Sequence, residues 1–249
     1  MLTAVRSILF YLGMGTLTPL FALPLLASRP LPFAVRESIA RGWCLAVLAW
    51  LRFTCGLRHR VEGLENLPDH PAVILSKHQS AWETIAFRTL FPAHLSWVLK
   101  KDLFRIPFFG WSLLALEEIG IDRASGREAL RQVEEKGTAH LRSGRWVVVF
   151  PEGTRVAVGE TGKYAQGGAR LAVAAGAPVV PVALNSGSFW GRESWRKRPG
   201  TITVRIGPAF DPEGYSAAGL NRAVRDWIEA QMPELEERPE PAREPVSPA

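Results

Sequence analysis

The chain has 249 residues, 47% hydrophobic and 10% aromatic, enough apolar material to bury a core and too much for a chain disordered along its whole length. Its net charge is +6, and the segment from Pro233 to Ala249 masks more, since its five acids and two arginines leave +9 on the rest. A body this basic suits an anionic partner such as lipid headgroups, phosphorylated metabolites, an acidic carrier protein or nucleic acid. The two cysteines, Cys44 and Cys55, form neither a disulfide framework nor a zinc pattern and favour a reducing compartment.

No charged residue occurs from Ser7 to Ser28. That stretch is long enough to span a bilayer, although Pro19 and Pro24 are expected to kink or break a helix there. Arg6 and the apolar run after it also suit a signal peptide, but no small-residue cleavage site follows. A second apolar run, Gly42 to Leu51, is flanked by Arg41 and Arg52, carries Trp43 and Trp50 near its ends and is too short to span alone. Residues 1–57 are expected to form two apolar helices that associate with a membrane, with arginines at headgroup level. A true span and an ordinary core stand as the alternatives. The nine tryptophans fit an interfacial setting.

Residues 58–232 alternate apolar runs with helical patterns. Ala72 to Ser76, Leu95 to Leu99, Arg145 to Phe150, Val179 to Leu184 and Thr201 to Ile206 read as strands, and Arg58 to Pro68 as a short strand and turn. Helical patterns cover Thr84 to Leu90, Gly126 to Arg142, Ala165 to Ala175 and Leu220 to Met232. Ser125 and Glu128 are spaced as a capping box for the second of these, and Gly144 stands just past its end. The alternation predicts an α/β domain with a mostly parallel sheet flanked by helices. Residues 233–249, rich in Pro, Glu and Arg, are expected to be a disordered tail.

Chemistry-bearing residues cluster where strands end. His78 follows the strand Ala72 to Ser76, and Glu83 stands five residues later. Five residues turn an ideal helix about 500°, leaving the two side chains roughly 140° apart, so both cannot lie within one regular helix and still meet. They meet if His78 precedes the helix and Glu83 lies in its first turn, which offers a base and its orienting carboxylate. Ser80 would then be the N-cap and Glu83 could merely cap. The second cluster, Phe150-Pro151-Glu152-Gly153-Thr154-Arg155, follows the apolar run Trp146 to Val149; its arginine and turn amides suit a phosphate. The third, Lys100 to Trp111, interleaves Lys100, Lys101 and Arg105 with aromatics, and Arg123 follows Ile119 to Asp122. The last is Val179-Val180-Pro181-Val182.

In this order the four segments resemble the four motifs of the glycerolipid acyltransferases, in particular the bacterial branch that acylates 1-acylglycerol-3-phosphate, over roughly Val61 to Phe210. The resemblance implies a glycerol-3-phosphate acyltransferase-like fold behind an N-terminal two-helix membrane module. It implies transfer of a fatty acyl group from an acyl-coenzyme A or acyl-carrier-protein thioester to the free hydroxyl of a lysophospholipid. His78 would be the general base of a His-x4-Glu motif and Glu83 its orienter. Glu152, Gly153, Thr154 and Arg155 would bind the acceptor phosphate, with Lys100, Lys101, Arg105 and Arg123 as further contacts. It implies no metal and no bound cofactor, and a place on the cytoplasmic face of a bacterial inner membrane. The sequence departs from the family pattern in two places: Glu83 stands where aspartate is commoner, and Gln166 where many members have lysine. The second departure keeps another lyso-lipid acceptor open, such as a lyso-ornithine lipid. A non-catalytic phospholipid-binding protein is the rival from another class. A serine hydrolase lacks its Gly-x-Ser-x-Gly elbow, a kinase lacks its phosphate loop, and a nucleic-acid binder does not explain the uncharged N-terminal stretch.

Overall fold

The computed structural model describes residues 1–91 and 94–237, without the side chains of Arg123 and Glu237. Two long helices, α1 (Leu2–Ala27) and α2 (Phe33–Cys55), form a hairpin ahead of the sheet. α1 runs unbroken through Pro19 and Pro24, against expectation. The hydroxyls of Thr16 and Thr18 donate to the carbonyls of Leu12 and Met14 within the helix. By length and composition α1 is apolar enough to cross a membrane, and it exposes Ile8, Leu9, Leu12, Leu20 and Leu23. The other side of the hairpin is ordinary core: Phe10, Cys44, Val47 and Leu51 are buried together with strand residues.

The sheet has seven strands: β1 (Leu57–Glu62), β2 (Val73–Ser76), β3 (Leu95–Lys100), β4 (Ile119–Ile121), β5 (Trp146–Val149), β6 (Val179–Leu184) and β7 (Gly200–Ile206). They lie in the order β1-β7-β6-β2-β5-β3-β4. Every neighbouring pair is parallel except β6 with β7. Strand β4, only three residues long, has no counterpart in the sequence reading. The remaining helices are α3 (Trp82–Leu90), α4 (Phe109–Ala115), α5 (Arg127–Arg142), α6 (Gly167–Ala175) and α7 (Ala217–Glu237).

Side chains alternate across the central strands with the period of two that a strand imposes. Ile74 and Val148 join the apolar layer under the hairpin and α3. Val73, Leu75, Val147 and Val149 join the layer under α5, α6 and α7. Gly168 lets α6 lie close to the sheet, since a Cβ there would fall 2.4 Å from Leu75 Cδ2. Two expectations about helix ends fail. Ser125 donates to the carbonyl of Asp122 and Glu128 binds Arg131, so the capping box of α5 does not form; Asp122 accepts from Ala124 N instead. α7 continues through Pro233 to Glu237, so residues 233–237 are helical rather than tail. The rest of the expected tail, 238–249, lies outside the described residues.

β2 and β5 are parallel neighbours at the centre of the sheet. The helix after β2 packs on one face and the helix after β5 on the other. The chain therefore diverges at their carboxyl ends and opens a crevice between the two loops, the position where open α/β sheets bind ligands.

Candidate active site

His78 leaves the end of β2 and Phe150 the end of β5, and their rings stack with centroids 3.9 Å apart. Two bonds from His78 fasten the loops together. Its N–H donates to Glu152 Oε2 at 2.9 Å, and its carbonyl accepts from Val156 N at 2.8 Å. The ring stands at a cavity wall with 15% of the side chain exposed. α3 begins at Trp82 with Ala81 as its cap, one residue later than the sequence suggested. His78 thus precedes the helix and Glu83 lies in its first turn, as the spacing argument required.

Glu83 is fully buried. Its Oε1 accepts from Gln79 N, Ser80 N and, at 2.6 Å, Ser186 Oγ. Its Oε2 accepts from Ser80 N and lies 3.9 Å from His78 Nδ1. The carboxylate therefore fixes the helix start and also faces the imidazole, mostly through different oxygens. Ser80 Oγ completes the start by accepting from Trp82 N. Burial pushes the Glu83 carboxyl up to about 7, while the hydrogen bonds from Ser186, Gln79 and Ser80 pull the other way.

The cavity holds about 410 Å³. Phe21 and Leu25 of α1, Trp43 of α2, Ile85 of α3, Leu99 of β3 and Leu113 of α4 make most of it apolar. His78, Gly153, Thr154, Arg155 and Lys100 also line it, which brings the first three motifs to one site. Gly153, at φ 68°, makes the turn that presents Thr154 and Arg155. Arg88 reaches the cavity too, but its charge is spoken for. Its Nη1 binds Glu37 of α2, its Nη2 lies 2.6 Å from Glu118 Oε1, and its guanidinium covers the Trp97 ring at 4.4 Å. This buried triad ties the hairpin to the sheet. Burial pushes Glu118 up to about 7, with Arg88 opposing the shift.

The structure separates the other expected contacts from this site. Lys101 and Arg105 are exposed on the turn after β3 and do not line the cavity. Lys100 does, with its ammonium 2.6 Å from Asp102 Oδ2. Glu152 points inward: its side chain is sealed from solvent, 3.0 Å from Lys77 Nζ, and also accepts from Gly162 N. It is no acceptor contact, because both oxygens are used within the fold. Burial raises its pKa against the pull of Lys77. The side chain of Arg123 lies outside the described residues. Gln166, the departure from the family pattern, is exposed at the start of α6 and away from the cavity, as is Lys163.

Ser186, Phe150, Lys77 and Gln79, to which the sequence reading assigned no role, complete the surroundings of the site. Lys77 carried a legible signal. Two residues beyond buried Leu75, it falls on the same face by strand alternation, where a charge needs partners. Among the described residues no group of three or more His, Cys, Asp or Glu side chains is placed to hold a metal.

A histidine facing a buried carboxylate, on the wall of an apolar cavity that Arg155 and Lys100 also line, suits an enzyme whose substrate joins an apolar group to an anionic one. The chain belongs to the acyltransferase family, whose model matches residues 58–185. It is 44% identical over 243 residues to the 1-acyl-sn-glycerol-3-phosphate acyltransferase of Pseudomonas aeruginosa, covering 93% of this chain and 92% of that one. The enzyme of the same description from Borreliella burgdorferi is 28% identical over 190 residues, 74% of each chain. In fold the chain is similar to the crystal structure of the 1-acyl-sn-glycerophosphate acyltransferase of Thermotoga maritima, with TM-score 0.79, 23% identity and coverage of 95% and 97%.

Proposed function

We propose that the protein transfers a fatty acyl group from an acyl-coenzyme A or acyl-carrier-protein thioester to the sn-2 hydroxyl of 1-acylglycerol-3-phosphate, giving phosphatidic acid. The relatives with this activity support the acceptor. The observation that supports the mechanism is that His78 and Arg155 line one apolar cavity, with the buried Glu83 carboxylate 3.9 Å from His78 Nδ1. His78 accepts the hydroxyl proton as the oxygen attacks the thioester carbonyl. The C–O bond forms, the C–S bond breaks, and the imidazolium returns its proton to the departing thiolate. Glu83 holds the ring orientation and stabilises the imidazolium. Arg155, with Lys100 nearby, receives the acceptor phosphate. The apolar cavity takes a fatty chain and keeps water from the thioester. General base catalysis of this kind contributes about 10²–10⁴-fold and positioning the remainder.

The hairpin rests on the membrane that supplies the acceptor, at the cytoplasmic face of a bacterial inner membrane, where thioester donors are made. The test is a donor-by-acceptor assay on purified protein, following thiol release and identifying the lipid product by mass. His78→Ala is expected to abolish turnover; activity within a few-fold of the parent refutes the base assignment.

A further inference from the structure

His78 points to the cavity, and its two neighbours in sequence turn the other way. Lys77 is 1% exposed, with Nζ 3.0 Å from Glu152 Oε1, 2.9 Å from Glu229 Oε1 and 2.8 Å from the carbonyl of Glu160. Gln79, also buried, donates from Nε2 to Glu236 Oε1 at 2.6 Å and accepts from Gly187 N. Glu229 and Glu236 both belong to α7. Seven residues apart, they stand on one face of the helix, about 10 Å apart along its axis.

The same two carboxylates hold the loop after β5. Glu229 accepts from Thr161 Oγ1 at 2.7 Å and from Tyr164 OH at 2.7 Å, and Glu236 accepts from Gly159 N at 2.9 Å. One helix face therefore grips both sides of His78 and the far end of the loop that carries Glu152 and Arg155. Of the described residues in this network only His78 and Arg155 line the cavity that His78 faces. Sinking a lysine and two carboxylates beside a catalytic loop adds little net stability, since desolvation offsets the attraction, but it defines position closely.

We infer that Glu229 and Glu236 are positioning residues: through Lys77 and Gln79 they hold the His78 loop at its distance from Glu83 and Phe150. This rests on His78 as the base. α7 is then part of the catalytic apparatus although it contributes nothing to the cavity wall.

The test compares the full chain with its Glu229→Ala/Glu236→Ala variant, measuring kcat per folded molecule and KM for each substrate. A displacement near 1 Å costs up to about 10²-fold, so kcat is expected to fall by at least about tenfold. KM for the donor is expected to stay within about twofold, and KM for the acceptor to rise by less than kcat falls, because no substrate-binding side chain is removed although the loop carrying Arg155 loses its far anchor. Glu229→Gln/Glu236→Gln, which keeps an acceptor oxygen at each place, is expected to recover most of kcat. If the alanine pair does not fold, Glu236→Ala alone, at a half-buried site in the last turn, is measured in its place. A folded variant with parental kcat, or one whose KM values rise as much as its kcat falls, overturns the inference. His78→Ala is assayed in parallel. If it stays active, the reading of the site fails; if it is inactive while the α7 variants are unaffected, only the positioning role fails.

Discussion

Ser186 is the sharpest handle on the His78–Glu83 pair, because its hydroxyl touches the carboxylate and not the cavity. It donates to Glu83 Oε1 at 2.6 Å from the turn after β6. Ser186→Ala removes that donor and leaves the two backbone donors, Gln79 N and Ser80 N, in place. A hydrogen bond to a charged group contributes about 1.5–3 kcal/mol, which corresponds to about 1–2 pKa units in favour of the ionised form. Burial has already brought the Glu83 carboxyl up to about 7. Losing Ser186 raises it further, so the ionised carboxylate that orients His78 becomes scarce at neutral pH. The acid limb of the profile of kcat/KM against pH is therefore expected to move alkaline by about 1–2 units. Activity is expected to drop about 5- to 50-fold at pH 7 and to return towards the parent at pH 9. The limb belongs to the coupled pair, so it is the displacement that is read. Thiol release measured from pH 5.5 to 9.5 gives the profile, and a melting curve confirms the fold. A limb that coincides with the parent's, or a loss equal at every pH, refutes the reasoning.

Stability is expected to pass through a minimum near pH 7. Glu83 and Glu118 lose their protons near 4.5 in the unfolded chain and keep them to about 7 in the folded one. Stability therefore falls as pH rises through that window, by up to about 1.4 kcal/mol per unit for each group. Above it Lys197 acts with the opposite sign, since burial lowers its pKa from 10.5 to about 7 and the unfolded chain holds the proton longer. Thermal midpoints from pH 5 to 9 check this, and a midpoint that is flat or rising between 5 and 7 contradicts it. Arg88→Met leaves Glu37 and Glu118 buried without their cation, and is expected to cost about 3–5 kcal/mol. Chemical denaturation at pH 8 measures it, and a loss below about 1 kcal/mol shows the triad to be dispensable.

The sequence was most legible where local rules coincide with burial. The runs at Trp146–Val149 and Val179–Leu184 became buried strands because nothing in them tolerates solvent. The motifs fell at strand ends, and helical spacing alone placed His78 ahead of α3. What local pattern missed depends on partners far along the chain. The direction of Glu152 is set by Lys77, whose second carboxylate is 152 residues away in Glu229. The failed capping box at Ser125 shows the same limit at short range, because Asp122 holds that turn instead. Pro19 and Pro24 read as breaks by the local rule, while in the structure α1 is held against α2 and passes through both.

The pairing of β1 with β7 also says something about how the chain is made. β1 directly follows the hairpin, and its neighbour in the sheet is β7, a separation of 143 residues, as between Arg60 and Thr203. At a synthesis rate of about 5–20 residues per second, β1 and the apolar helices before it wait roughly 7–30 s for that edge. The exposed leucines of α1 face outward even in the finished molecule, so closing the sheet does not cover them. On the proposed reading, in which the hairpin rests on a membrane, the hairpin is complete and available to the bilayer before the sheet closes behind it with its last strand.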